Sequence, residues 1–263
     1  MKSSKFYVVT SLVGVVLLLQ SCSESNDTNS NAESSTEMTE SDNENQNSEE
    51  TGDSNHEEGS DDNLENDILD DSNILKLVNK KYSLSEDYIP EDLVNLEVPT
   101  VLENAEVNQL SKEAADALKE MIDYAKEENI DILARSGYRS YKTQVQLFDN
   151  YVANHGEEAA NQFSARPGES EHQTGLSIDV TSESVSYQLS ESFGETIEGV
   201  WIKENAHKFG FIIRYPEGKE EIAGYQYEPW HLRYIGNDMA QNIYESGLTY
   251  EEYLVERGID IEI

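Results

Sequence analysis

The chain has 263 residues, 54 acidic against 18 basic side chains, a formal net charge of -36 and a single cysteine. A chain this acidic is a poor ligand for nucleic-acid phosphates or anionic lipid headgroups, so those partners are excluded. One cysteine allows no internal disulfide, and any folded part must be held by its core.

Lys2 and Lys5 precede an apolar run from Phe6 to Leu19. This is the pattern of a secretory signal, and at about fourteen residues it is too short for a membrane span. Leu19-Gln20-Ser21-Cys22 follows and resembles the bacterial lipoprotein processing box, in which the cysteine is lipidated and becomes the new N-terminus. Residues 1–22 are therefore expected to be a lipoprotein signal peptide and Cys22 a lipidation site; a multiply acylated cysteine is a stable anchor. From Ser23 to Leu75 there are 18 acidic residues and no lysine or arginine. Such a segment cannot bury enough apolar surface to offset ordering entropy, so residues 23–75 read as a disordered linker. As a flexible coil it spans about 40 Å, and charge repulsion extends it further.

Residues 76–263 suffice for one domain. Ser111 is placed to cap a helix whose apolar positions, Ala114, Ala117, Leu118, Met121, Ile122 and Ala125, recur at three and four. A strand over Ile130–Ala134 is expected next. Ser140 then caps a helix through about Ala153, with Val145, Phe148 and Val152 on one face, ending near Gly156. A short helix over Glu157–Phe163 leads into the Arg166-Pro167-Gly168 loop. The stretch Thr196–Phe209 reads as a helix stopped by Gly210, followed by a strand Phe211–Tyr215, a turn at Pro216-Glu217-Gly218 and a strand Trp230–Ile235. Helices at about Asp238–Tyr244 and Tyr250–Arg257 close the chain. Helices with scattered short strands indicate an α+β fold.

Two segments carry the chemistry, SEHQTGLSIDV from Ser170 to Val180 and Glu228-Pro229-Trp230-His231. His172, Asp179 and His231 are candidate ligands for zinc, whose catalytic sites use three protein ligands and hold in the fourth position a water with pKa near 7. His172 and Asp179 are seven apart and cannot share one face of a single strand, so a turn must intervene, and Gly175 allows it. Leu176, Ile178 and Val180 alternate beyond that turn, which predicts a short strand with Asp179 on its other face. Proline at 229 biases Glu228 toward extended backbone, so Glu228 and His231 are expected to meet through a local turn at a strand entry. Glu228 would then act as base beside the metal. Plainer readings exist: Asp179 suits a turn cap, and Glu228 an ion pair with Arg233 or Arg214. His56, His155 and His207 read as bystanders.

These segments resemble the zinc-dependent D-alanyl-D-alanine carboxypeptidases of bacterial cell walls, the family of the vancomycin-resistance D,D-carboxypeptidases and the related L,D-carboxypeptidases. The family pattern Ser-x-His-x-x-Gly-x-x-x-Asp is met by Ser170, His172, Gly175 and Asp179, and Glu-x-Trp-His by Glu228, Trp230 and His231. SGYRS from Ser136 to Ser140, Gln144 and LVNKKYSLSEDYIPEDL from Leu77 to Leu93 also match, so the likeness covers about residues 76 to 250. The resemblance implies zinc ligands at His172, Asp179 and His231 and a catalytic base at Glu228. It further implies a small central antiparallel sheet flanked by helices, the fold shared with the hedgehog signalling domain. It places Arg139 at the substrate carboxylate or the oxyanion, a role that suits a guanidinium, with Gln144 and Ser170 as substrate contacts. Arg166 is expected in a loop lining the site, and Tyr138, Trp230 and Tyr234 as candidate pocket walls. The implied activity is removal of the C-terminal D-alanine from peptidoglycan stem peptides, on the outer face of the bacterial membrane. The SEHQTGLSIDV form is closer to the L,D type, acting on the tetrapeptide, while the usual family label is D,D. A non-catalytic wall-binding lipoprotein and an endopeptidase are the other readings; an intact base beside an intact ligand set favours catalysis.

Overall fold

The computed structural model describes residues 61–263. The expected signal peptide, Cys22, His56 and the linker as far as residue 60 lie outside the described residues. The segment 61–75, which composition assigns to the linker, is instead part of the fold. It opens with helix α1, Asp61–Leu69. Leu64 and Ile68 lie four apart on one face, and Ile68 is fully buried in a cluster with Leu77, Ile235, Ala240, Ile243, Tyr250 and Leu254. Lys76 donates from Nζ to the Leu69 carbonyl at 2.8 Å, satisfying the helix C-terminus. A charge count over the whole acidic stretch dilutes these few apolar positions.

Strand β1, Leu93–Asn95, pairs with β2, Gln109–Ser111, in a small antiparallel ribbon that the sequence pattern does not announce. Helix α2, Lys112–Glu127, buries Ala114, Leu118, Met121, Ile122 and Ala125, the face its periodicity predicts. Ser111 is its N-cap residue, but the Ser111 hydroxyl donates to Asp92 Oδ1 at 2.9 Å, and Asp92 Oδ2 accepts from the Lys112 N–H at 3.0 Å. The capping carboxylate therefore comes from nineteen residues upstream. Strand β3 is Leu133–Ser136 rather than Ile130–Ala134, because the Ile130 N–H closes the end of α2 on Ala125. Helix α3, Tyr141–His155, is capped by Ser140, whose side chain accepts from the Thr143 N–H. It buries Gln144 and Phe148, while Val145 and Val152 are only half-buried. Helix α4, Glu157–Phe163, matches its expectation.

Strand β4, Ser177–Thr181, follows a 3-10 turn over Glu171–Thr174. Helix α5, Ile197–Asn205, continues as a 3-10 turn, Ala206–Phe209, and stops at Gly210 with φ 78°. Strand β5, Phe211–Tyr215, helix α6, Glu220–Ala223, and strand β6, Glu228–Tyr234, come next, then α7, Asn237–Ser246, and α8, Tyr250–Glu256. The four-stranded sheet runs β3-β4-β6-β5, antiparallel throughout. Its apolar face, with Ile178, Val180 and Leu232, shares a core with α2 and with Trp201 and Ile202 of α5. Each such side chain contributes about 1.5–3 kcal/mol by leaving water. The opposite side chains of β4 and β6 are free to build a polar site.

Candidate active site

Asp179 and His231 are register partners in the central β4–β6 pair, which sets their side chains side by side. His172 reaches them from the 3-10 turn, and Gly175 reverses the chain with φ 69°. The positive φ is what calls for glycine here; a Cβ would also meet Leu93 Cδ2 at 2.9 Å, the end of a side chain that can turn aside. Glu228 opens β6 rather than preceding it. Between Ile213–Leu232 and Tyr215–Glu228 the register slips, with β6 advancing four residues while β5 advances two. This irregularity, with Pro229 inside it, lets Glu228 and His231 share a cavity although three residues apart.

His231 Nδ1 lies 3.1 Å from Asp179 Oδ1, and His172 Nε2 lies 3.5 Å from Asp179 Oδ2. The three residues are buried, and one ligand atom from each falls within 4.8 Å of the others. Ligands of a tetrahedral ion at about 2.0–2.2 Å stand about 3.4 Å apart, so the donors fit such an ion. The outward nitrogens are held as well. His172 Nδ1 donates to the Gly137 carbonyl at 2.8 Å, and His231 Nε2 lies 3.4 Å from Glu171 Oε2. With the outward nitrogens held in this way, His172 Nε2 and His231 Nδ1 are the ring nitrogens that face Asp179, the arrangement of metal-binding histidines. Burial alone would pull His231 down, yet Asp179, Glu171 and Glu228 push it up to about 9. The cluster thus favours positive charge at its centre.

Glu228 Oε2 stands 3.8 Å from His231 Nδ1. Burial raises its carboxyl to about 7, His231 and Arg139 opposing that rise. A carboxyl tuned there can both take and return a proton at neutral pH. Arg139 lines the same cavity of about 290 Å³. Its Nη1 donates to Gln144 Oε1 at 2.9 Å and its Nη2 to Ser136 Oγ at 3.2 Å. Gln144 also donates to the Ala165 carbonyl at 2.6 Å and does not line the cavity. In this structure its amide oxygen holds Arg139 in place. Ser170 does line the cavity.

The aromatic wall consists of Tyr151, Phe163, Tyr215, Tyr225 and Trp230. Of the expected walls only Trp230 is present; Tyr138 is buried elsewhere, and Tyr234 donates from its hydroxyl to Glu113 at 2.7 Å. Arg166 lies outside the cavity, paired with Glu157 at 2.8 Å and set over the Phe148 ring. His207 stacks on Tyr244, and His155 packs behind Phe163; neither lines the cavity. Arg214 and Arg233 do not pair with Glu228. Both donate to Glu171, at 2.8 and 2.9 Å, and Arg214 also donates to Glu251. Glu171, Arg214, Arg233 and Glu251 are the buried charges that sequence reasoning missed. A signal existed in the arginines interrupting the apolar strands FIIRY and WHLRY, since a charge there needs a buried partner.

The family model of VanY D-alanyl-D-alanine carboxypeptidases matches residues 107–237, which contain every residue of this cavity. The Bacillus subtilis protein YodJ, named as a candidate carboxypeptidase, is 42% identical over 96% of this chain and 97% of its own. The chain belongs to the VanY carboxypeptidase family. Among VanY-family relatives, a D-alanyl-D-alanine carboxypeptidase of Enterococcus faecium is 36% identical over 68% of this chain and 57% of its own. The solved LD-carboxypeptidase LdcB superposes with a TM-score of 0.68 at 51% identity, covering 70% of this chain and 87% of LdcB. A VanY D,D-pentapeptidase variant from the VanB-type resistance cassette, solved with Zn(II), gives a TM-score of 0.56 at 32% identity, covering 70% and 99%. Both solved VanY-type neighbours share the mixed fold with its small antiparallel sheet.

Proposed function

We propose that the protein is a zinc carboxypeptidase that removes the C-terminal D-alanine from peptidoglycan stem peptides. The observation that carries this reading is the convergence of Glu228, His172, Asp179 and His231 with a fixed guanidinium, Arg139, on one cavity. His172, His231 and the Asp179 carboxylate would hold zinc, which would supply Lewis acidity and an acidified water. Arg139, oriented by Gln144 and Ser136, offers its remaining N–H groups to the substrate's terminal carboxylate. Glu228 takes the proton from water at Oε2 and returns it to the leaving amine of D-alanine. Tyr215, Tyr225 and Trp230 wall the cavity against bulk water. A wall-binding role without catalysis would have no use for a carboxyl placed beside the three donors in one cavity.

Two stem peptides end in D-alanine, a pentapeptide ending in D-Ala-D-Ala and a tetrapeptide with a longer penultimate side chain. The 51% identity to LdcB, against 32% to the D,D-pentapeptidase, favours the tetrapeptide and an L,D reaction. Mass spectrometry of both peptides after incubation with the zinc-loaded protein tests the reading, one alanine being lost. Glu228→Ala is expected to retain zinc and lose at least about a hundredfold in turnover; retention of a tenth of the activity refutes the base assignment.

We further propose that Cys22 is lipidated and tethers the enzyme to the outer face of the membrane through its acidic linker, facing the wall. The basic start, the apolar run and Leu19-Gln20-Ser21-Cys22 support this. Cys22→Ser should release the protein from the membrane fraction; unchanged membrane retention counts against the anchor.

A further inference from the structure

Glu171 is 1% exposed and accepts four hydrogen bonds. Oε1 accepts from Arg214 Nε at 2.8 Å and Arg233 Nη1 at 2.9 Å. Oε2 accepts from Ser177 Oγ at 3.2 Å and His231 Nε2 at 3.4 Å. The carboxylate cannot swing, and the ring it holds is the one that presents Nδ1 to Asp179.

Arg233 continues the chain of contacts outward. Its Nη2 donates to the carbonyls of Ile74 at 2.9 Å and Lys76 at 2.7 Å. Between those two residues the Leu75 carbonyl accepts from the Tyr250 hydroxyl, and Asn79 donates to Glu251 Oε1 at 3.0 Å. Glu251 pairs in turn with Arg214. Two buried arginines and two buried glutamates thus join the segment 74–79 to a candidate metal ligand. A buried ion network is weak evidence for stability, since apolar residues of similar volume serve as well or better. Contact with the outward nitrogen of His231 gives this one a different use.

We propose that Glu171 is the positioning residue for His231 and that the docked segment 74–76, acting through Arg233, sets the zinc affinity of the site. The inference rests on the zinc reading above. The N-terminal arm is then an outer part of the metal centre, and disturbing its seat weakens the metal without touching a ligand.

The test measures the zinc Kd of the full chain by competition with a chromophoric chelator, together with the visible spectrum after cobalt loading. Glu171→Gln should raise the Kd about 10- to 100-fold and alter the cobalt spectrum. Tyr250→Phe, which keeps the ring and removes only the bond to Leu75, should raise it several-fold. Ile122→Val, a mild core change on α2, should leave it unchanged. A folded Glu171→Gln with wild-type Kd overturns the proposal, as does a wild-type Kd in Tyr250→Phe or an equal rise in Ile122→Val. Where Glu171→Gln does not fold, Tyr250→Phe decides alone. Failure of the wild-type chain to bind zinc counts against the zinc reading instead.

Discussion

Glu228 shows what burying a single carboxyl beside the proposed metal site costs the fold. Its carboxyl is raised from the ordinary 4.5 to about 7, chiefly by burial. In the unfolded chain it ionises near 4.5, while in the metal-free fold it stays protonated until about 7. Across that window the folded state binds the extra proton, so this residue's contribution to stability falls as pH rises and is constant above it. A shift of this size corresponds to about 3 kcal/mol. Glu228→Gln is therefore expected to stabilise the metal-free protein by up to about 3 kcal/mol at pH 8 and to change little at pH 4. Urea denaturation at the two pH values measures this, and equal effects at both would mean that burial does not govern the carboxyl. The residue that the sequence marks as the base is thus also one that the apo fold is strained to keep.

At the scale of elements, the turn between the 3-10 segment and β4 holds His172 against Asp179. Gly175→Ala places a Cβ at positive φ and 2.9 Å from Leu93 Cδ2. The left-handed backbone costs an alanine about 1–2 kcal/mol, and the end of the Leu93 side chain must turn aside. A loss of at least 1 kcal/mol by urea denaturation is expected, with weakened zinc binding; an unchanged midpoint would refute the need for glycine. This turn was legible because the spacing of His172 and Asp179 forbade a single strand and the alternation of Leu176, Ile178 and Val180 fixed the strand after it. The placement of Glu228 within β6 was not, because the register slip belongs to the pairing with β5 and leaves no mark within β6 itself. The role of Glu171 was hidden for a related reason. Its arginine partners lie 43 and 62 residues away, and ordinary local patterning carries no record of them. The bond from Arg139 to Gln144 was not legible either, since a motif records that a residue is needed and not which atom it holds.

Considered whole, the molecule begins its fold earlier than its acidity implies. A fragment starting at residue 76 lacks α1 and with it Ile68, which is fully buried, and Leu64 and Leu75, which pack beside it. Full burial of one such side chain is worth about 1.5–3 kcal/mol, so residues 76–263 should be less stable than 61–263 by about 2–4 kcal/mol. Denaturant unfolding of the two fragments checks this, and equal stability would place α1 outside the cooperative unit. The pairing of Asp179 with His231 across 52 residues has a consequence for the order of events in folding. A slip of one residue between β4 and β6 would turn one ligand to the opposite face, so only the correctly aligned sheet assembles the full donor set. Long-range pairing of this kind forms late and slowly compared with local helices. A partly folded chain therefore offers a metal ion no complete donor set. If these donors hold zinc as proposed, its capture rewards only the finished register.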